Sequence, residues 1–95
     1  MLREAERTYT GHSNVVNSCC LSEDNLYVFT ASYDKDCRMF DIQTGECIKM
    51  FSGHTDWVWA CVLTSDGKHL YSGSQDETIR MWNVETGKEV RNTLI

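Results

Sequence analysis

The sequence predicts an all-β fold made of two four-stranded antiparallel sheets. Two observations support this prediction: an internal repeat and apolar segments of the length of a strand. Residues 11–52 align without a gap on residues 53–94 and give 12 identities in 42 positions. A register that holds over the whole repeat indicates duplication of one structural unit. Within each unit the apolar residues fall in short runs between turn-forming residues, and no window has the 3.6-residue period of a helical face.

The first repeat divides into four short strands. Its apolar segments are bounded by clusters of Ser, Asp, Asn and Gly, which are the residues that favour turns. The predicted strands are 15–21, 26–32, 37–42 and 47–51. The last connection contains Gly45, and glycine tolerates the positive φ that a hairpin loop requires.

The second repeat divides in the same way. The predicted strands are 57–63, 69–74, 78–84 and 89–94. Residues 7–10 resemble the end of one more strand, so we expect residues 1–10 to be the last strand of a preceding unit. The domain boundaries that follow are 1–10, 11–52 and 53–95. The sequence has no proline, so no predicted strand lacks a backbone donor.

Composition and charge narrow the classes of partner. The formal net charge is −5, and Lys and Arg are scattered, so the phosphate neutralisation on which nucleic-acid binding depends is not favoured. No apolar stretch approaches the roughly 20 residues of a membrane span. The charged segment 1–7 does not resemble a secretory signal. We therefore expect a soluble protein of the cytoplasm or nucleus.

The cysteines and acidic residues do not form a recognisable metal site. The five cysteines are odd in number and lack a CxxC pair, so we expect small buried side chains in a reducing compartment. Asp34 and Asp36 suggest a calcium loop, but Met39 stands where that loop needs Gly and Gly45 stands where it needs Glu. We expect neither a metal nor a cofactor.

The repeat resembles the WD40 repeats of β-propeller proteins. Four strands per 42 residues, a Gly-His pair at the start and an aromatic residue followed by Asp or Asn near the end make up that pattern. The second repeat carries it most fully, at residues 53–54, 72–74, 76 and 79–83. The first repeat departs from the pattern because Phe40 replaces the usual Trp. The second has Asn83 where Asp is usual.

This resemblance covers residues 7–94, nearly the whole chain. It implies two consecutive propeller blades that are part of a larger or self-assembled propeller.

The resemblance also implies a hydrogen-bond relay within each blade, formed in this family by a His, a Ser or Thr, an Asp and a Trp. The matching residues of the second repeat are His54, Ser72, Asp76 and Trp82. Such a set can satisfy itself, because the indole only donates, the carboxylate only accepts, and the hydroxyl and imidazole do both. The first repeat offers His12, Thr30 and Asp34. Phe40 has no N–H, so we predict that the first blade is held less firmly.

Ser72, His54 and Asp76 also have the residue types of a hydrolase triad. A nucleophilic serine needs exposure, a base and an oxyanion hole. Ser72 is instead predicted to lie within a strand, with its hydroxyl bonded to Trp82. We therefore expect a structural role for these three residues and no enzymatic activity.

A partner-binding rim follows from the same resemblance. In similar propellers, partners dock on the face where the Gly-His loop enters the innermost strand. The matching positions are Val15, Asn17 and Tyr33 in the first repeat and Trp57, Trp59 and Gln75 in the second. Trp and Tyr dominate interface hot spots, which favours binding at this rim. The alternative is that Trp57 or Trp59 fills the gap between the blades.

Two blades do not make a complete propeller. Rings of this kind typically have four to eight blades, and each blade buries its faces only against its neighbours. We expect the outer faces to present Phe29, Val62, Leu63 and Met81 to water. We favour a fragment of a longer protein, and the alternatives are self-assembly and a truncated product. Further blades, of the same chain or of identical chains, are therefore among the expected partners.

The implied function is a protein–protein interaction scaffold that binds other proteins or peptides. One narrower alternative is a substrate-receptor or adaptor subunit of a ubiquitin-ligase or signalling complex, which rests on fold-level analogy alone. The other is a truncated product with little independent function. Membranes and nucleic acid are not expected partners.

Overall fold

Eight strands of six residues form the described part of the molecule. The structure, a computed structural model, describes residues 11–94. The strands are β1 Val16–Leu21, β2 Tyr27–Ser32, β3 Asp36–Asp41, β4 Cys47–Ser52, β5 Val58–Leu63, β6 His69–Ser74, β7 Thr78–Asn83 and β8 Glu89–Leu94. Each described strand begins and ends within one residue of its predicted bounds. The strand predicted within residues 1–10 lies outside the described residues.

The strands form two antiparallel sheets in chain order, β1-β2-β3-β4 and β5-β6-β7-β8. This arrangement confirms the predicted all-β fold of two four-stranded blades. Every neighbouring pair is joined by a short connection, as expected for meandering antiparallel strands. Residues 11–94 contain no helix, and so none that is long and apolar enough to cross a membrane.

The hairpin between the last two strands of each blade has the same construction in both copies. Gly45 and Gly87 take φ values of 80° and 76°, which a residue with a Cβ rarely adopts. Their N–H groups donate to the carbonyls of Asp41 and Asn83 over 2.8 Å. The side-chain Oδ1 atoms of Asp41 and Asn83 accept from the N–H groups three residues later. Because Asp and Asn both offer this oxygen, the departure at position 83 leaves the turn intact.

Strand register gives each blade two distinct faces. In the first blade, the side chains that share one face, here called the front face, are Cys20, Phe29, Ala31, Cys37, Met39 and Phe51. The opposite face, here called the back face, carries Val16, Cys19, Leu21, Val28, Thr30, Arg38 and Phe40. The corresponding faces of the second blade consist of the residues 42 positions later.

The core lies between the blades, where the front face of the first blade packs on the back face of the second. Its buried members are Phe29, Ala31, Cys37, Met39, Phe51, Val58, Cys61, Leu70, Trp82 and Val84. The innermost strand of the second blade, β5, contacts β1, β2 and β3 of the first. This arrangement buries both sides of the interface without a helix.

Two expectations about the outer faces are wrong. Phe29 is only 1% exposed, and Leu63 packs against the core. Both residues belong to the faces that meet between the blades, which the alternation of a strand alone does not identify. Val62 is 62% exposed, as predicted, and Met81 is partly exposed.

The cysteines are not uniformly buried, contrary to expectation. Cys37 and Cys61 are buried, Cys20 is intermediate, and Cys19 and Cys47 are exposed. Cys19 lies on the back face of the first blade, whereas its counterpart Cys61 lies on the covered back face of the second. The difference in exposure therefore comes from stacking rather than from the strand itself.

Candidate functional site

A continuous hydrogen-bond relay crosses the second blade. Trp82 Nε1 donates to Ser72 Oγ over 2.8 Å, and Ser72 Oγ lies 2.6 Å from His54 Nε2. His54 Nδ1 lies 2.8 Å from Asp76 Oδ2. Because an ionised carboxylate only accepts, Nδ1 carries the proton and Nε2 accepts from the serine hydroxyl. The donors therefore point in one direction, from Trp82 through Ser72 and His54 to Asp76.

Asp76 receives the end of this relay together with neighbouring donors. Burial by itself opposes ionisation, but the hydrogen bonds from Thr78, His54 and the backbone N–H of Thr55 outweigh it, so the pKa of Asp76 lies well below its ordinary value. The carboxylate thereby ties the loop at Thr55 to the β6–β7 turn.

An extension of the relay through Arg80 was not anticipated from the sequence. Arg80 Nε donates to Thr78 Oγ1 over 3.2 Å, and its Nη1 donates to Glu89 Oε1 over 2.6 Å. A Cβ on Gly53 would lie 3.0 Å from the Trp82 ring and 3.2 Å from Arg80 Nη1. Glycine at position 53 thus leaves room for both side chains. In the sequence, the Gly-His pair and the Arg two residues before Trp82 were the signals that could have indicated a role for Arg80.

The first blade has fewer relay hydrogen bonds than the second. His12 Nδ1 lies 2.6 Å from Asp34 Oδ2, and His12 Nε2 lies close to Thr30 Oγ1. Burial opposes ionisation of Asp34, but hydrogen bonds from His12 and from backbone N–H groups lower its pKa nonetheless. Phe40 packs edge-on against His12 with ring centroids 6.2 Å apart, and its side chain has no N–H to donate to Thr30.

Arg38, the counterpart of Arg80, is also less well satisfied. Its Nε atom is buried and has no hydrogen-bond partner in the described part of the chain. The residues equivalent to Thr78 and Glu89 are Asp36 and Cys47. The first blade therefore lacks the Thr–Arg–Glu extension as well as the indole donor.

The relay is connected to the predicted partner-binding rim through a serine at the end of β6. Ser74 Oγ donates to the carbonyl of Trp57 over 2.7 Å and accepts from the N–H of Asp76 over 3.1 Å. The N–H of Gln75 donates to the same Trp57 carbonyl over 2.8 Å. Ser32, Val15 and Tyr33 make the equivalent bonds in the first blade. The backbone that carries the rim is thus fixed from both sides.

Tyr33 and Trp57 come together at this rim, one from each blade. Their rings stack with centroids 4.3 Å apart and an interplanar angle of 13°. Trp57 remains 45% exposed, so it bridges the junction at the surface instead of filling the buried gap. Trp59 is 46% exposed and also lies outside the core, where Phe29 and Phe51 fill the gap instead.

The other predicted rim residues lie beside this aromatic pair. Asn17 Nδ2 donates to the carbonyl of Val58 over 3.4 Å, a contact between the blades. Val15 is exposed and accepts from the N–H of Tyr33. The side chain of Gln75 is exposed next to Trp57. We call Val15, Asn17, Tyr33, Trp57, Trp59 and Gln75 the aromatic rim.

A partly buried and a buried thiol meet at the interface between the blades. Cys20 and Cys61 face each other across the blades with their Sγ atoms 3.9 Å apart. The hydrogen bond from Cys20 favours the Cys61 thiolate, but contact with Cys37 and burial outweigh it and raise the pKa of Cys61 to about 12. Within residues 11–94, no group of three or more His, Cys, Asp or Glu side chains has the arrangement of a metal site.

Comparison with known proteins gives a family and several partial relatives. Residues 3–41 and 45–83 match the WD40 family, described as WD domain, G-beta repeat. The small ribosomal subunit protein RACK1 of Schizosaccharomyces pombe is 49% identical over 43 residues, 45% of this chain and 14% of that protein. The Saccharomyces cerevisiae protein of that name is 45% identical over 40 residues, 42% of this chain and 12% of that protein.

A different relative also matches. Human pre-mRNA-processing factor 17 is 35% identical over 46 residues, 48% of this chain and 8% of that protein. The chain thus aligns with between 8% and 14% of the length of these three curated relatives.

Proposed function

The chain belongs to the WD40 repeat family, and on that premise we propose that it is a protein-interaction scaffold that binds a protein or peptide segment at the aromatic rim. The stacked Tyr33–Trp57 pair is the observation that carries this proposal. It presents a large, partly exposed aromatic surface whose backbone is held in place by hydrogen bonds to Ser32 and Ser74. Such pre-ordered aromatic side chains lose little conformational entropy on binding.

Polar groups beside the aromatic pair suit a peptide partner. The exposed amide of Gln75 and the amide of Asn17 offer both donors and acceptors, which can pair with the backbone of an extended segment. The relay contributes indirectly, because Asp76 holds the turn on which Gln75 stands. In this proposal the relay is a positioning device and has no catalytic role: Ser72 is buried and bonded to both His54 and Trp82.

The names of the relatives support membership of a larger assembly. Those proteins are named as part of the small ribosomal subunit and as a pre-mRNA-processing factor. We propose an equivalent setting for this chain, in the cytoplasm or nucleus, with residues 11–52 and 53–95 as its two repeats. No observation on the described residues singles out a ubiquitin-ligase or signalling adaptor.

The proposal is tested by comparing the proteins retained by the wild-type chain with those retained by Tyr33→Ala/Trp57→Ala. Leu26→Ala is the control, because Leu26 is 56% exposed and directly precedes β2, at the end of that strand opposite to Tyr33. We expect a set of partners lost only from the rim variant, with binding weakened by about thirty-fold, as for removal of a hot-spot aromatic side chain worth about 2 kcal/mol. Equal retention by all three proteins would contradict binding at the rim.

A further inference from the structure

A cleft lies between the two blades, at the end of the sheets opposite to the aromatic rim. Its volume is about 490 Å³, which is within the usual range of ligand sites. The β1–β2 turn of the first blade and the β5–β6 turn of the second form its walls. The rim residues Tyr33 and Gln75 stand instead on the β2–β3 and β6–β7 turns. A strand of six residues, about 20 Å long, separates the two ends.

The floor of the cleft is apolar and comes from both blades. Phe29 and Met39 belong to the front face of the first blade, Leu63 belongs to the back face of the second, and Val84 directly follows β7. Phe29, Met39 and Val84 are members of the buried core, and Tyr27 and Leu63 pack against it. The floor is therefore a firmly packed apolar surface, which favours a ligand that has an apolar part of its own.

The mouth of the cleft is acidic. Glu23 and Asp24 on one wall and Asp66 on the other are all exposed, and the described residues that line the cleft include no Lys, Arg or His. Hydrogen bonds from the hydroxyl two residues earlier and from a backbone N–H lower the pKa of Asp24 and of Asp66. These bonds go to the Oδ1 atoms, and within residues 11–94 neither Oδ2 atom accepts a hydrogen bond. Each wall thus has an ionised carboxylate with an oxygen available to a cation.

We propose that this cleft binds a segment of a partner protein that carries an arginine beside an apolar side chain. The stem of an arginine packs on apolar surface while its charged group stays in water at the mouth. Its planar guanidinium donates paired hydrogen bonds to carboxylates, in a geometry that lysine does not reproduce. The neighbouring apolar side chain covers the rest of the floor, where Leu63 and Tyr27 are partly exposed.

The occupant is a peptide segment and not a small organic cation, because the cleft is open between two separate turns. Sites for small molecules enclose most of the surface of their ligand. Here Asp24 and Asp66 are exposed on either side, which leaves space for a chain to enter and leave. The cleft and the aromatic rim lie at opposite ends of the same strands, so one chain can hold two partners at once. The proposal for the cleft does not depend on binding at the rim.

The test uses a set of eight-residue peptides, each with a central arginine next to Leu, Ile, Met, Phe or Trp, and measures their binding to the chain by fluorescence anisotropy. We expect binding by members of this set, weakened about ten-fold in Asp24→Asn/Asp66→Asn, because two charge-assisted contacts are lost. Asparagine keeps the Oδ1 atom that holds each turn, so the substitution removes charge without removing the acceptor.

The matched control is Asp41→Asn/Glu46→Gln, which removes the same charge from the neighbouring β3–β4 hairpin outside the cleft. This variant should bind the peptides like the wild type. On the peptide side, glycine in place of the apolar neighbour should weaken binding about ten-fold, since less apolar surface is buried. Glutamate in place of the arginine should abolish binding. Backbone amide signals of residues 22–29 and 63–67 should shift on titration.

Several results would overturn the proposal. Peptides that all fail to bind at roughly 1 mM, or that bind the Asp24→Asn/Asp66→Asn variant as tightly as the wild type, exclude this occupant. Butylguanidinium binding as tightly as the peptides would identify a small organic cation instead. Signal shifts confined to the aromatic rim would place the peptide there. Tyr33→Ala/Trp57→Ala should leave peptide binding unchanged, which separates the cleft from the rim, and circular dichroism checks the folding of each variant.

Discussion

Single hydrogen-bonding groups distinguish the two blades at the residue scale. Trp82 donates to the Ser72 hydroxyl in the second blade, whereas in the first blade Phe40 has no N–H to donate to Thr30, whose hydroxyl lies close to His12 Nε2. A buried hydroxyl that loses a partner destabilises the folded state, whereas a fully paired set fixes one geometry. Among the four relay positions themselves, the difference between the blades is therefore the indole N–H group of Trp82.

We expect Trp82→Phe to lower the free energy of unfolding by on the order of 1–2 kcal/mol, because Ser72 loses its donor. Urea denaturation followed by circular dichroism measures this difference. Trp59→Phe is the matched control, because Trp59 is about half exposed and lies outside the core. Equal unfolding midpoints for Trp82→Phe and the wild type would contradict the role of the indole donor.

The lowered pKa of Asp76 predicts that the protein loses stability in acid. Its pKa in the folded protein is depressed, so at a pH near the ordinary aspartate value of about 3.9 the unfolded chain binds more protons than the folded one. The stabilising contribution is complete above that value and is lost as the pH falls toward the folded pKa. We expect the unfolding midpoint in urea to decrease from pH 6 to pH 3.

Asp76→Asn should have a lower midpoint at pH 6 and a smaller decrease on acidification. Part of the decrease should remain in that variant, because the pKa values of Asp24, Asp34 and Asp66 are also lowered. Parallel pH profiles for Asp76→Asn and the wild type would show that Asp76 does not contribute to the acid sensitivity.

At the scale of an element, the β3–β4 and β7–β8 hairpins have the same backbone turn but differ in the hydrogen bonds of the arginine on their first strand. Arg80 on β7 is bonded to Thr78 and to Glu89 on β8. On β3, the Nε atom of Arg38 is buried without a partner in the described chain. A buried donor of a charged group without an acceptor is destabilising, so an added acceptor should stabilise the β3–β4 hairpin.

We expect Asp36→Thr/Cys47→Glu to raise the free energy of unfolding by about 1–2 kcal/mol, because it supplies the two acceptors that Arg80 has. Thermal and urea unfolding measure the gain. The reciprocal variant Thr78→Asp/Glu89→Cys is the matched comparison and should lose stability. A double variant in the first blade that is no more stable than the wild type would contradict this account of Arg38.

At the scale of the whole molecule, stability depends on the interface between the blades. Within the first blade, the rings of Phe29 and Phe51 have centroids 6.3 Å apart. Across the interface, the rings of Phe51 and Trp82 have centroids 6.0 Å apart. Neither blade can bury these side chains alone. The blades are therefore expected to unfold together.

Phe29→Ala should lower the free energy of unfolding by about 3–5 kcal/mol, the usual effect of truncating a buried aromatic side chain. The loss should appear in both blades at the same denaturant concentration, which hydrogen exchange of β2 and β6 amides would measure. Leu26→Ala, at an exposed position, is the control and should change stability little. Unfolding of the first blade alone would contradict a shared core.

The sequence by itself determined the repeat, the strands and the partners within each relay. Strand positions follow from apolar periodicity and turn residues, which are local properties, and they agree with the structure to within one residue. The residues that match the WD40 pattern, such as His54 and Trp82, lie in one blade, where a fixed strand register keeps them at constant separation. The sequence offered a signal for Arg80, but the bond from Arg80 to Glu89 also depends on the β7–β8 register.

Only the tertiary structure decided which face of each blade is covered. Alternating side chains give a strand two faces, and both faces of these blades are apolar, so the pattern cannot tell Phe29 at the inter-blade interface from Tyr71 at the surface. The stack of Tyr33 on Trp57 likewise depends on how one blade sits on the next. The direction of stacking is a property of two sheets together, and it determines both the core and the surface available to partners.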